Sequence, residues 1–429
     1  MKTILASAAL LLPLAAFPQT LVEETVTYGP TEVRVIEFQD SARHYYTLHE
    51  NAPHLINLPD VPRFALFGKE GKFYMGIGAN VKTTVGEDLG HPVSDPNYFV
   101  TANIPMQIAP GNGGQFKVSA QQSNVYLNVV ALPGSKDQLG AYVSVTFLGN
   151  NYAPKLQHAY LKWRGITAGY TYSIFADAAS TPATIDYEGP NACATIIHGM
   201  VAYEPYLDKE HNWRAGIALD IPEASYTNAT NTSTVNQRVP DIPMYIQRNW
   251  AGGEGWFRLA GIVRNIQYRD NIDQKNFNKL GWGIKGSGKT PIAGGLSAAY
   301  MALYGRGIAS YIQDINGCGL DLMPDPEDPY RLEAVKAWSG FASLQYRFNP
   351  RCFMSATYSH VRTYAKQFTD SQSDWKTGYK YAQYIAGNVF YNVNSIVQVG
   401  AEYLYGRRVD YNGMQAHDNR IQAMLKVSF

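Results

Sequence analysis

Outside its first twenty residues the chain has no apolar stretch of the roughly 20 residues that a helical membrane span requires, which excludes a helical membrane protein. Cysteine is equally sparse. Three cysteines in 429 residues cannot build a disulfide framework. Charge is low as well: at 17% charged residues the chain falls below the share of about 25% found in ordinary soluble domains. A net charge of +1 and a pI near 7.7 carry no signal for nucleic acid or another polyanionic partner. No heptad repeat runs through the N-terminal part, and the nine histidines are scattered. No cofactor and no metal centre are expected.

Tyrosine and glycine are abundant, at 31 and 38 residues, and 13% of the chain is aromatic, yet mean hydropathy is -0.24. The two facts are compatible if one side of each strand faces lipid and the other faces water. The chain terminus supports this. Arg420 to Phe429 alternate polar and apolar without a break and stop on an aromatic, whereas the last residues of a soluble domain ordinarily fray. At the other end, Lys2 precedes an apolar run from Ile4 to Ala16, followed by Phe17-Pro18-Gln19. Residues 1–20 therefore read as a secretory signal peptide, and no cysteine follows it to anchor a lipid.

Residues 21–71 read as a separate periplasmic extension ending in Leu58-Pro59-Asp60-Val61-Pro62. From 72 to 429 period-2 alternation recurs, with clear strands at Phe73 to Lys82, Gly140 to Leu148, Leu156 to Arg164, Ile166 to Ser173, Asn212 to Ile221, Trp338 to Phe348, Arg351 to His360 and Ile396 to Arg407. Tight links at Trp163-Arg164-Gly165, Asn349-Pro350-Arg351 and Asn392-Val393-Asn394 alternate with long ones: Gly86 to Gly113, Phe175 to Asn191, Glu223 to Pro240, Asp314 to Leu332 and Val409 to Asp418. Short periplasmic turns and long extracellular loops mark bacterial outer-membrane barrels. The expected fold is all-β, a transmembrane antiparallel up-and-down barrel of about sixteen strands. At that strand number a barrel leaves an aqueous channel. The soluble alternative, a sandwich or propeller, does not account for a signal peptide together with an apolar outer face on the last strand.

Splitting each strand by its period of two assigns Phe73, Met75, Ile77, Val143, Val145, Trp213, Ile217, Leu219, Ile421, Ala423, Leu425, Val427 and Phe429 to lipid. The opposite face carries Lys82, Lys162, Arg164, Arg214, Arg258, Arg264, Arg347, Arg420 and Lys426 against Asp220 and Glu402 alone. A positive wall concentrates small anions. Pairing with loop carboxylates is the competing reading, as is contact with lipid headgroups. Arg214 and Arg264 are placed mid-strand, and Lys162 and Arg164 near a strand end. The third long link holds Asp177, Asp186 and Glu188; folded inward, it narrows the pore and sets acidic groups against the basic wall, and otherwise it lies on the rim. The acidic link with Asp321, Asp325, Glu327 and Asp328 reads as a solvated loop, with calcium binding the weaker alternative. Cys193 and Cys318 fall on links of the same side and are candidates for a disulfide, which sequence alone cannot establish.

Several segments resemble the DcaP-like trimeric porins. They are Leu156-Gln157-His158-Ala159-Tyr160; Gly169 to Asp177; Thr184-Ile185-Asp186-Tyr187-Glu188-Gly189-Pro190; Tyr304 to Asp314; Gly400 to Arg408; and Asn419-Arg420-Ile421-Gln422. The resemblance implies sixteen strands, a homotrimer in outer-membrane lipid, and passive diffusion of small, often anionic solutes such as dicarboxylates. Gln157 departs from the arginine usual in that family, and residues 21–71 lack its coiled coil. The rival classes are a barrel enzyme, which needs a nucleophile beside a base, an energised transporter, and a non-conducting scaffold or adhesin. His158, His198 and His360 are isolated in strands, and the N-terminal segment is too short for a plug domain.

Overall fold

The computed structural model describes residues 24–28, 31–37, 47–48, 50–53, 64–67, 72–325, 328, 330–365 and 378–429. The expected signal peptide, residues 1–20, lies outside them.

Sixteen antiparallel strands form a closed barrel. In chain order they are β1 Phe73–Asp88, β2 Asn124–Ala131, β3 Leu139–Thr146, β4 Lys155–Trp163, β5 Ile166–Tyr172, β6 Ile197–Tyr203, β7 Trp213–Asp220, β8 Ile242–Trp250, β9 Gly255–Asp270, β10 Lys275–Ala293, β11 Leu296–Arg306, β12 Lys336–Asn349, β13 Cys352–Thr363, β14 Tyr379–Asn392, β15 Val397–Asp410 and β16 Gln415–Ser428. Each pairs with its sequence neighbour, and β16 closes on β1 from Arg420 opposite Asp88 to Ser428 opposite Asn80. Closure removes the open sheet edge that lipid does not tolerate.

Alternation explains both surfaces. Ile77, Val143, Ile217, Leu219, Leu344, Ile421 and Leu425 are exposed on the outside, while their neighbours Tyr74, Tyr126, Tyr142, Ala218, Leu404 and Met424 are buried on the inside. Tight turns follow from local chemistry. Arg164 and Gly165 take φ of 46° and 80°, and Gly294 and Gly295 take 56° and 87°, the double positive φ of the hairpin turn that matches strand twist. Arg164 therefore sits in a short turn, bonded to Asp137 across an exposed contact, and is not on the inner wall.

One expected long loop is absent. Val409 to Asp418 contains only a four-residue connection, because β15 runs to Asp410 and β16 starts at Gln415, with Val409 opposite Gln415. Polar residues fill both faces near this rim, Arg408 and Asp410 inside and Arg407 and His417 outside, so the strand ends read as loop.

The long links 173–196 and 307–335 and residues 89–114 of the first link fold into the barrel, while Gln115–Ser119 pairs with the end of β1 in the wall. Phe99, Ile104, Phe175, Ile185, Cys193, Ile308, Tyr311, Ile312 and Ile315 are buried there. Several pack on inward wall residues such as Ile262, Leu303 and Val361. No disulfide joins the three cysteines, and Cys193 and Cys318 are both buried. The candidate Cys193 to Cys318 bridge is thus not formed; both thiols are absorbed in the apolar cluster.

The described parts of 21–71 attach to the short-turn end. Phe64–Phe67 pairs with β1 at Met75, directly beyond the end of β16, and Thr31–Glu37 pairs with Phe64–Phe67 in turn. A second piece, Thr47, Leu48 and Glu50 to Pro53, contacts the inner wall of β2 to β4 through Asn51.

Candidate functional site: the charged lumen

The inward link after β5 crosses the lumen through its carboxylates and carbonyls. Asp177 accepts from Ser287 (2.8 Å) and Trp256 (3.1 Å) on β10 and β9. Burial opposes its charge, but Arg258, Lys285 and those two hydrogen bonds hold the carboxyl below its ordinary range. Asp186 accepts from the Phe99 amide (3.0 Å), the Glu188 amide (3.1 Å) and the Tyr384 hydroxyl (3.2 Å). Glu402 on β15 accepts the Ile185 and Asp186 amides at 3.0 and 2.9 Å. Two buried carboxyl groups thus lie close together, and burial, then Glu402, pushes Asp186 up to about 7. Glu188 is raised as well, by burial first and then by Asp186. Lys82 reaches the Ile185 carbonyl at 3.0 Å, and Asn388 the Ala183 carbonyl at 2.8 Å. These bonds attach the loop to β1, β9, β10, β14 and β15. Asp177 and Asp186 serve docking through their carboxyl groups, whereas Glu188 bonds through its backbone, to Asp186 and Gln313.

The basic residues divide into two groups by depth. Arg264, at 1% exposure, binds Asp241 at 2.9 Å and Asp321 at 3.0 Å, and Tyr311 adds its hydroxyl to Asp241. Arg420 is equally buried and holds Asp88 at 2.6 Å, which Lys117 also contacts at 2.5 Å. Arg408 pairs with Asp410 at 2.9 Å. These cations are neutralised by carboxylates, most of them from loops or strand ends at the long-loop side, so the expected count of two inner acids was too low. Asp321, considered above for calcium, is committed to Arg264 and Ser310; Glu327 lies outside the described residues.

Nearer the short-turn end the balance reverses. Lys162, Arg214, Arg258, Lys289, Arg347 and Lys426 face inward there. Among them Glu204 contacts Arg214 at 3.5 Å. Arg258 lies over Tyr245 at 4.0 Å and reaches the Ala176 carbonyl at 2.9 Å, and Arg347 lies exposed over Phe353 at 5.8 Å. Arg214 stands one residue inside the end of β7 and is not mid-strand. Lys162 donates to the Glu50 and Asn51 carbonyls. Lys289 was missed, although it shares the inward parity of its strand; glycines on both faces of β10, Gly281 and Gly283 inside and Gly286 and Gly288 outside, mask the alternation.

The histidines are dispersed. His158 is buried against Tyr172 and bonds Thr171; His198 pairs with Asp220 at 2.9 Å; His360 stacks outside on Trp338 at 4.8 Å. Gln157, which departs from the arginine usual in the resembling porins, donates to the Tyr187 hydroxyl of the inward loop at 2.6 Å.

An apolar outer belt, a closed wall of sixteen strands and a charged interior crossed by loops define a pore-forming barrel of the bacterial outer membrane. Residues 114–420 match the porin subfamily Porin_2, and the chain belongs to that family. Its fold is that of the outer-membrane channel DcaP of Acinetobacter baumannii, with a TM-score of 0.70, 19% identity, and coverage of 85% of this chain and 99% of that one. An anion-selective porin from Comamonas acidovorans aligns with a TM-score of 0.53 at 8% identity, over 83% of this chain and all (100%) of the other. The trimer form of OmpT from Vibrio cholerae aligns at 0.50 with 10% identity, over 83% and 99%. No match was found among curated proteins.

Proposed function

We propose that this porin works as a homotrimer and passes small hydrophilic solutes with a preference for anions of dicarboxylate type. The observation that carries the preference is the sorting of charge by depth. Arg264, Arg408 and Arg420 are each paired with a carboxylate, whereas Arg258, Lys289 and Arg347 have no carboxylate within ion-pair distance among the described residues. Unpaired cations lining one mouth of a channel raise the local anion concentration. The distant likeness to an anion-selective porin, and to an outer-membrane protein solved in a trimer form, supports the reading.

The test is block of chloride current in planar bilayers by succinate added on the short-turn side. The native channel is expected to show concentration-dependent block that weakens in Arg258→Ala and Arg347→Ala. Current insensitive to succinate, with equal response in the variants, overturns the assignment.

A further inference from the structure

The piece Thr47 to Pro53 does more than trail from the barrel. It forms one helical turn, Ala52 N–H to Leu48 carbonyl at 3.2 Å, and is held to the inner wall through specific contacts. The Asn51 side-chain amide donates to Asn128 Oδ1 (2.7 Å) and to the Val129 and Ala141 carbonyls (3.2 and 3.0 Å). Asn128 returns a bond to the Leu48 carbonyl at 2.7 Å, and the Tyr160 hydroxyl donates to the Asn51 carbonyl at 2.6 Å. Leu48 is buried against Tyr74 and Val130, and Ala52 against the ladder Tyr126, Tyr142 and Tyr160, whose rings follow at 5.9 and 5.6 Å. The wall is shaped for this turn: a Cβ at Gly140 would lie 1.9 Å from Asn51 Oδ1.

The same turn occupies a cation. Lys162 Nζ lies 3.0 Å from the Glu50 carbonyl and 3.3 Å from the Asn51 carbonyl, so two backbone oxygens stand where the oxygens of a bound carboxylate would go, beside Arg214. We propose that Thr47 to Pro53 is a tethered gate at the short-turn mouth, competing with small carboxylate solutes for Lys162. The turn gives Lys162 two carbonyls in contact and the Glu50 carboxylate only at longer range, and an ammonium gains more from a carboxylate in contact, so solute displaces the turn, while the tether keeps its local concentration high when solute leaves. The inference rests on the anion preference proposed above.

Full-length protein in planar bilayers and in detergent tests it. Asn51→Ala, which changes no barrel strand, and Gly140→Val, which fills the cradle, are both expected to raise single-channel conductance. An Ala52→Cys chain is expected to react faster with a water-soluble maleimide when Asn51→Ala is added, and also when succinate is added; Lys162→Ala removes the succinate effect alone. Unchanged conductance in Asn51→Ala with unchanged labelling overturns the gate. Labelling accelerated by Asn51→Ala but indifferent to succinate overturns the competition. A native channel that prefers cations refutes the anion reading separately, since the conductance change does not depend on ion sign.

Discussion

Arg264 and Arg347 lie on the inner faces of β9 and β12, and their surroundings give them opposite work. Arg264 is enclosed by Asp241 and Asp321, so Arg264→Met leaves two buried carboxylates without their cation, a loss of about 3 to 5 kcal/mol. Arg347 is exposed and touches only a phenyl face among the described residues; Arg347→Ala is expected to change stability by no more than about 0.5 kcal/mol. Urea unfolding followed by tryptophan fluorescence separates them, and equal midpoints would contradict the assignment. The thiols give a second check at this scale. With no disulfide among Cys193, Cys318 and Cys352, protein denatured without reductant should take up an alkylating agent at every cysteine, whereas a bridge would leave two unmodified. Period two placed both arginines on the inner wall from sequence, since neighbouring side chains point to opposite faces. It did not reveal that Arg264 is neutralised, because Asp241 and Asp321 come from long links whose path periodicity does not encode.

Among the elements, the loop after β5 shows how electrostatics and docking combine. The Asp186 carboxyl is pushed up to about 7 by burial and Glu402, so protonation favours the docked loop. That contribution is fully present below the ordinary value of 3.8 and is lost as pH rises through about 7. Amide exchange in residues 173–196, corrected for intrinsic rate, is therefore expected to be slower near about pH 5 than near about pH 8. Asp186→Asn should flatten the difference; a loop better protected at the alkaline pH would contradict the sign. The barrel strands were legible because an apolar stripe on lipid is a strong period-2 signal: Phe73, Ile77, Ile217 and Ile421 mark it plainly. The extracellular ends of β15 and β16 were not, since there Arg407 and His417 face outward beside inward Arg408 and Asp418. The piece around Asn51 was also illegible, because one amide fitted to Gly140 leaves no periodic trace.

Across the whole molecule the pairing of inner charges changes with depth. Arg264, Arg408 and Arg420 toward the long loops are neutralised, while Arg258, Lys289 and Arg347 toward the short turns have no carboxylate within ion-pair distance among the described residues. Near-neutral net charge hid this, since composition sums over both ends. A homotrimer is expected from light scattering of the detergent-purified protein after subtraction of bound detergent; a monomer would contradict it. The most direct test of the account is the reversal potential across a potassium chloride gradient, measured for the native channel and for Arg258→Ala, Lys289→Ala, Arg347→Ala combined. We expect the native channel to favour chloride and the triple variant to lose most of that preference. A native channel that favours potassium, or a triple variant with unaltered chloride preference, would contradict the account.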